Sequence, residues 1–249
     1  MYENPGSWLP SMLQSQLPIA EMDRFQWHYP STCGVFGRSS SPFVPDWQNQ
    51  PVVFLGDSVV RFLYHAYITK VFDPKHGVPP GAAHSDMQHS NEAKFIWAPF
   101  IDNLTTSLNQ TLAMNMHTRT LEKKPLIVLG SGPWDALQKH DFSAFQSAVL
   151  ELAKIIQSNR EYFYFIWVEF GTLQDSKMLS REKREFLIES KAVGYRLASE
   201  PLYRVCNAVL PMRVMQRGRE TRDGVHYDPS TYFAATSVLL RLGVHCPEF

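Results

Sequence analysis

The chain has 249 residues, with 24 Lys and Arg balanced by 24 Asp and Glu, so its formal net charge is zero. That balance argues against a basic nucleic-acid groove and equally against an acidic solvated tail. A hydrophobic fraction of 44% beside 19% charged residues excludes a disordered chain, and the length suits one large domain of a size that α/β folds often reach.

Residues 1–50 carry Pro5, Pro10, Pro18, Pro30, Pro42 and Pro45 among several Ser and Gly. This predicts an irregular arm packed on a domain that occupies 51–249. The first residues lack the basic start and apolar core of a signal peptide, and no stretch reaches the roughly 18 to 20 apolar residues of a membrane helix. Val52-Val53-Phe54-Leu55, closed by Gly56, reads as a buried strand, and Val60, Leu63, Tyr64, Tyr67, Ile68 and Val71 follow at helical spacing. Residues 73–91 hold Pro, Gly and His without periodicity and read as loop, and 93–97 is a weaker strand. Asn103-Leu104-Thr105 and Asn109-Gln110-Thr111 are sequons, acceptors if the chain enters a lumen, although such tripeptides also arise by chance.

Leu126-Ile127-Val128-Leu129 is a strong strand, closed by Gly130-Ser131-Gly132-Pro133. A helix is predicted from an N-cap at Asp141 to about Gln157, a buried strand over 162–168, an amphipathic helix over 181–198 and a last strand over 205–210. Asp228-Pro229 then places a capping side chain before a proline at the first position of a final helix. Five strand candidates alternating with helices, most of them continuously apolar, predict a parallel sheet of about five strands covered on both faces, an α/β architecture. Ligands of such sheets bind at the carboxyl ends of the strands, which directs attention to the residues after Leu55, Leu129 and Leu210.

Gly56-Asp57-Ser58 falls at the first of these places. A serine there projects from the strand end, and its own N–H sits at a helix N-terminus, where partial positive charge stabilises an oxyanion. The plainer reading is a capped strand–helix turn. Asp223-Gly224-Val225-His226 lies just ahead of the last helix and supplies a carboxylate and an imidazole from one local segment. Such a pair is what a histidine base requires, though an Asp-Gly turn beside an incidental histidine would look the same. The separation of 168 positions from Ser58 to His226 is no obstacle, because triads assemble in space. The three cysteines, Cys33, Cys206 and Cys246, are too few and scattered for a zinc site or disulfide framework.

Strand–GDS–helix near the start and DxxH near the end together resemble the SGNH/GDSL hydrolases, whose fold is a three-layer α/β/α sandwich. Arg61 completes GDSxxR, and with DGVH this is similar to the PC-esterase branch. Trp27-His28-Tyr29-Pro30-Ser31-Thr32-Cys33 ahead of the first strand, Trp134 in place of the asparagine of GxND, and Cys246 after the last helix resemble the lumenal catalytic domain of sialate and capsule-polysaccharide O-acetyltransferases. The match runs from about Trp27 to Cys246 and is firm at GDSxxR and DGxH.

The resemblance implies Ser58 as acetyl-accepting nucleophile, His226 as base and Asp223 as its orienting partner. The oxyanion hole would comprise the Ser58 N–H, Trp134, whose alternative role is core packing, and a loop glycine, Gly81 or Gly77. Arg61 would meet a glycan oxygen or carboxylate, or else pin the N-terminal arm by an ion pair. Cys33 and Cys246 would form a bridge or remain two thiols. The implied activity is acetyl transfer on carbohydrate O-acetyl groups through an acetyl-serine. A carbohydrate or lipid acetylesterase with the same triad is the alternative, and a non-catalytic glycan-binding module on the same fold the second. No bound cofactor, metal or nucleic acid is expected, and an acetyl donor such as one derived from acetyl-CoA would be a co-substrate. By the same resemblance the setting is the Golgi lumen. Full-length members of that family carry membrane spans after this domain, so this sequence is either cut from a longer chain or a stand-alone relative.

Overall fold

A computed structural model describes residues 7–10, 25–28, 51–72, 85–90, 93–114, 124–139, 141–174, 177–178, 188–221 and 223–245. Within the first 50 residues the described parts are β1 (Ser7–Pro10) and β2 (Phe25–His28), which pair antiparallel. The rest of the predicted arm, together with Cys33, Gly77, Gly81 and Cys246, lies outside the described residues.

The apolar runs form the expected sheet. β3 (Val52–Gly56), β5 (Ala93–Trp97), β6 (Leu126–Gly130), β7 (Tyr164–Val168) and β8 (Ala208–Leu210) are all parallel, in the spatial order β5-β3-β6-β7-β8. A sixth strand, β4 (Met87–Ser90), adds antiparallel to β5 at the edge, where 73–91 read as loop. Its sequence, MQHS, has no apolar alternation, and its pairing is broken by an irregularity between Gln88 and Ser90. An edge strand of that kind is specified by its neighbour and not by its own pattern.

Period-two alternation sorts the strand side chains onto the two faces. Val52, Phe54, Leu126, Val128, Ile166, Val168 and Leu210 pack with α1 (Ser58–Val71) and the last helix. Val53, Leu55, Ile127, Leu129, Phe165 and Trp167 pack against α2 (Ile101–Met114), α3 (Phe142–Asn159), α4 (Ile188–Ala198) and α5 (Glu200–Val205). Two further helices follow β8: the short α6 (Met212–Gln216) and the long α7 (Pro229–His245). Asp141 caps α3 as expected, its carboxylate accepting from Ala144 N–H at 2.9 Å. Asp228 likewise accepts from Ser230 N–H at 2.9 Å at the start of α7.

Two predicted strands start late: the one read over 162–168 begins at Tyr164. The last strand begins at Ala208 and not at 205, because Glu200 and Pro201 open a helix that runs through Val205. The sequons lie on α2, which the sequence reading did not predict; both asparagines are exposed and both threonines are buried. No helix of the described residues is long and apolar enough to cross a membrane.

The chain leaves β3 toward β5 on one side and later returns to β6 on the other, so the switch in strand order falls between β3 and β6. Their carboxyl ends carry Gly56 and Gly130 in register with each other. A Cβ on Gly130 would come within 2.7 Å of Val60 Cγ2 and 3.0 Å of Val168 Cβ, and one on Gly56 within 2.3 Å of the Gly130 carbonyl. The paired glycines therefore let the first turn of α1 settle directly on the sheet. Gly130→Ala is expected to lower stability by about 1 to 3 kcal/mol, as overpacking does. Because Val60 is the nearest obstacle, adding Val60→Ala should recover part of that loss. Urea unfolding of the two single variants and the double would show it as a favourable coupling, and simple additivity would refute the contact as the cause.

Candidate functional site

The site is built at the switch point. Asp57 is extended and is the N-cap of α1; its Oδ1 accepts from Val59 N–H at 2.8 Å and from Val60 N–H at 3.4 Å. Ser58 is thereby the first residue of the helix, where backbone N–H groups have no partner within the helix. The residue is buried, and its hydroxyl reaches out of the elbow toward the last helix.

Asp223 and His226 occupy a tight turn ahead of α7. Asp223 Oδ1 accepts from the backbone N–H groups of Val225 at 3.0 Å and His226 at 2.8 Å, while Oδ2 lies 2.6 Å from His226 Nδ1. Gly224 has φ of +95°, a conformation that side chains resist, and a Cβ there would strike Met178 Cγ at 2.5 Å. His226 Nε2 is 2.6 Å from Ser58 Oγ. An ionised Asp223 can only accept, so Nδ1 carries the proton and Nε2 accepts from the serine hydroxyl. The Phe62 ring meets His226 edge-on at 5.3 Å and stacks on Tyr232 at 5.2 Å, supporting the imidazole from α1 and α7. The three residues singled out in sequence as a triad thus form one continuous hydrogen-bonded chain.

Three carboxylates surround this chain in different electrical states. Partial burial opposes ionisation of Asp223, but the hydrogen bonds from the His226 ring and from the backbone N–H groups of His226 and Val225, with the favourable electrostatics of the ring, outweigh it and hold the group well below the carboxylate range. Asp57 is pushed up to about 6, chiefly by burial, against the pull of its two backbone donors. Its Oδ2 has no hydrogen-bond partner among the described residues, and the side chain lines a small cleft with Gly130, Ser131 and Glu169. Asp135 is also pushed up to about 6 by burial, although it accepts from Ile101 N–H at 3.0 Å and lies 3.2 Å from Ser131 Oγ.

The other predicted residues are placed as follows. Trp134 is half-buried, its ring perpendicular to those of Trp97 at 5.8 Å and Phe100 at 5.9 Å. Arg61 is buried, with its guanidinium 5.5 Å from the centre of the Phe62 ring and 5.8 Å from that of Trp97. Gly81 lies outside the described residues, as does most of the arm that Arg61 was expected to meet in one reading. Cys206 is a free, buried thiol, and burial pushes its pKa up, which keeps it unreactive. Among the described residues no group of three or more His, Cys, Asp or Glu side chains is placed to hold a metal ion. Sequence reasoning missed Phe62, although its position four residues after Ser58 on one helix is the signal for a shared face. In the sequence, Asp57 is marked only by its place in the Gly-Asp-Ser turn.

The raised carboxyls set a pH dependence of stability. Asp57 takes up its proton at about pH 6 in the folded chain and near 3.8 when unfolded, so the folded state binds more protons in between. Its contribution to stability therefore falls as pH rises from about 4 to 6, opposite in sign to that of Asp223. Asp57→Asn keeps an oxygen for Val59 and Val60 and cannot ionise. Denaturant titrations from pH 4 to 8 should show this variant gaining stability relative to the native chain as pH rises through that window. A constant difference across the range would refute the assignment.

No family model matches the sequence, and no curated protein matches it. Solved structures do. A proposed SGNH hydrolase from Slackia heliotrinireducens aligns over 78% of this chain and 98% of its own, at 11% identity and a TM-score of 0.52. A member of the lipolytic G-D-S-L family from Veillonella parvula aligns over 77% of this chain and 97% of its own, at 14% identity and 0.45. An acetylxylan esterase from Geobacillus stearothermophilus aligns over 79% and 94%, at 10% identity and 0.43. The first of these likenesses, with a six-stranded, mostly parallel sheet between two helical layers, shows that the fold is an α/β fold of the SGNH-hydrolase kind.

Proposed function

We propose that this chain is a serine enzyme that moves acetyl groups on O-acetylated carbohydrate, with Ser58 as nucleophile, His226 as general base and Asp223 as its orienting partner. The observation that carries the reading is the pair of 2.6 Å contacts, Ser58 Oγ to His226 Nε2 and His226 Nδ1 to Asp223 Oδ2, at the carboxyl edge of a parallel sheet. His226 takes the Ser58 proton as Oγ attacks the acetyl carbonyl. The carbonyl oxygen becomes an oxyanion against the Ser58 N–H at the start of α1. Collapse breaks the ester C–O bond, and His226 returns the proton to the departing alcohol, leaving acetyl-Ser58. An acceptor hydroxyl then gives its proton to His226, attacks the acetyl-serine and regenerates the free serine. Trp134 and Gly81 are the proposed further oxyanion donors, each such donor typically contributing about 3 to 4 kcal/mol.

The choice of acetylated carbohydrate follows the sequence resemblance at GDSxxR and DGxH. With a sugar hydroxyl as acceptor the chain is an O-acetyltransferase drawing on an acetyl donor. With water it is an acetylesterase. Partial exposure of the Asp223 and His226 side chains, 47% and 28%, gives water access to the site and favours the hydrolytic reading as the second one.

Brief exposure to an activated acetyl ester should add one acetyl group to the protein, mapped by mass spectrometry to Ser58 and absent from Ser58→Ala. That variant should lose turnover by on the order of 10⁶-fold, and Asp223→Asn by about 10⁴-fold. Turnover in Ser58→Ala within about tenfold of the native chain would sink the proposal. Offering sugar acceptors to the acetylated protein then separates transfer from hydrolysis. Failure to acylate at all would favour the glycan-binding module.

A further inference from the structure

Asp223 sits on an exposed turn, and its carboxylate bonds, to the N–H groups of Val225 and His226 and to the His226 ring, are all local. Local bonds fix the carboxylate relative to the imidazole, but they do not fix the turn relative to Ser58, which lies on another element. Something must tie the turn to the sheet. The segment after β7 does so, and its bonds converge on one residue.

Gln174 meets the loop ahead of the turn at three places. Its backbone N–H donates to the Gly224 carbonyl at 2.9 Å. Its side-chain Nε2 donates to the Arg219 carbonyl at 2.8 Å. Its Oε1 accepts from both the N–H and the hydroxyl of Thr221, at 3.2 and 3.1 Å. Thr221 is buried, and because its hydroxyl donates to Gln174 it is free to accept from Gly224 N–H, which it does at 2.9 Å. Gly224 is thus gripped at both its carbonyl and its N–H. Thr221 also bridges to Tyr227 across the turn, and the Tyr227 hydroxyl returns to the Thr172 carbonyl at 3.0 Å. The amide needs its two ends at once, a donor for Arg219 and an acceptor for Thr221, and glutamine alone among side chains of this length has both.

We propose that Gln174 is the positioning residue that holds the Asp223–His226 turn at hydrogen-bonding distance from Ser58. The activity readouts below rest on the function proposed above; the spectroscopic one does not.

Gln174→Met keeps the length and removes both polar ends. It is expected to lower kcat by about 100-fold, the effect of an ångström-scale misplacement, with KM within about twofold, since ground-state binding is not touched. The Nε2 resonance of the His226 imidazole, which reports the hydrogen bond accepted from Ser58 Oγ, should shift or broaden in the same variant. Thr221→Val should reproduce both effects, and Thr221→Ser, which keeps the hydroxyl, should retain most of the native kcat and resonance. Cooperative unfolding of each variant guards against trivial loss of fold, and if Gln174→Met does not fold, the Thr221 pair carries the test. Native kcat and a sharp, unshifted resonance in folded Gln174→Met or Thr221→Val would overturn the proposal. A native chain that never acetylates at Ser58 would defeat the proposed activity, and the resonance would still decide the role of Gln174.

Discussion

The contact that the rest depends on is the approach of one helix end to two strand ends where neither strand has a side chain. Gly56 and Gly130 face each other across β3 and β6, and Val60 fills the space that their missing Cβ atoms leave. This brings the first turn of α1 onto the point where the sheet changes direction, so that the helix N-terminus and its partial positive charge sit over the crevice. Asp57 then has only one place to cap, and Ser58 only one direction to point. A larger residue at either glycine would move the helix before it moved anything else.

Around that point the carboxylates are divided by environment. Asp223 is half-exposed and stays ionised because three hydrogen bonds from one turn converge on it. Asp57 and Asp135 are buried at helix starts, and burial wins over the same kind of backbone bond. One residue type therefore serves as a permanent anion beside the imidazole and as two groups that sit close to protonation. The difference lies in access to water more than in the number of donors.

Much of the fold was legible because buried parallel strands write themselves as unbroken apolar runs, as at 52–55 and 126–129. Ser58, Asp223 and His226 were legible because each lies within a short segment whose local chemistry is distinctive. α2 was not, since its polar Asn, Thr and Gln obscure the spacing of Leu104, Leu108 and Leu112 that marks its buried face. β4 was not, because an edge strand borrows its conformation from its neighbour. Gln174 carries no local signal at all: its partners Arg219, Thr221 and Gly224 lie 45 to 50 positions later, and nothing about a glutamine in a loop announces them.

The Ser58–His226 bond joins residues 168 apart, the first helix of the sheet domain to the turn before the last. During synthesis at about 5 to 20 residues per second, roughly ten to thirty seconds separate the birth of the hydroxyl from that of the imidazole. Until the turn ahead of α7 has emerged, Ser58 lacks its His226 partner. The Ser58–His226 hydrogen bond is therefore among the last contacts that the chain can form, and a nascent chain that stops short of the turn before α7 lacks it.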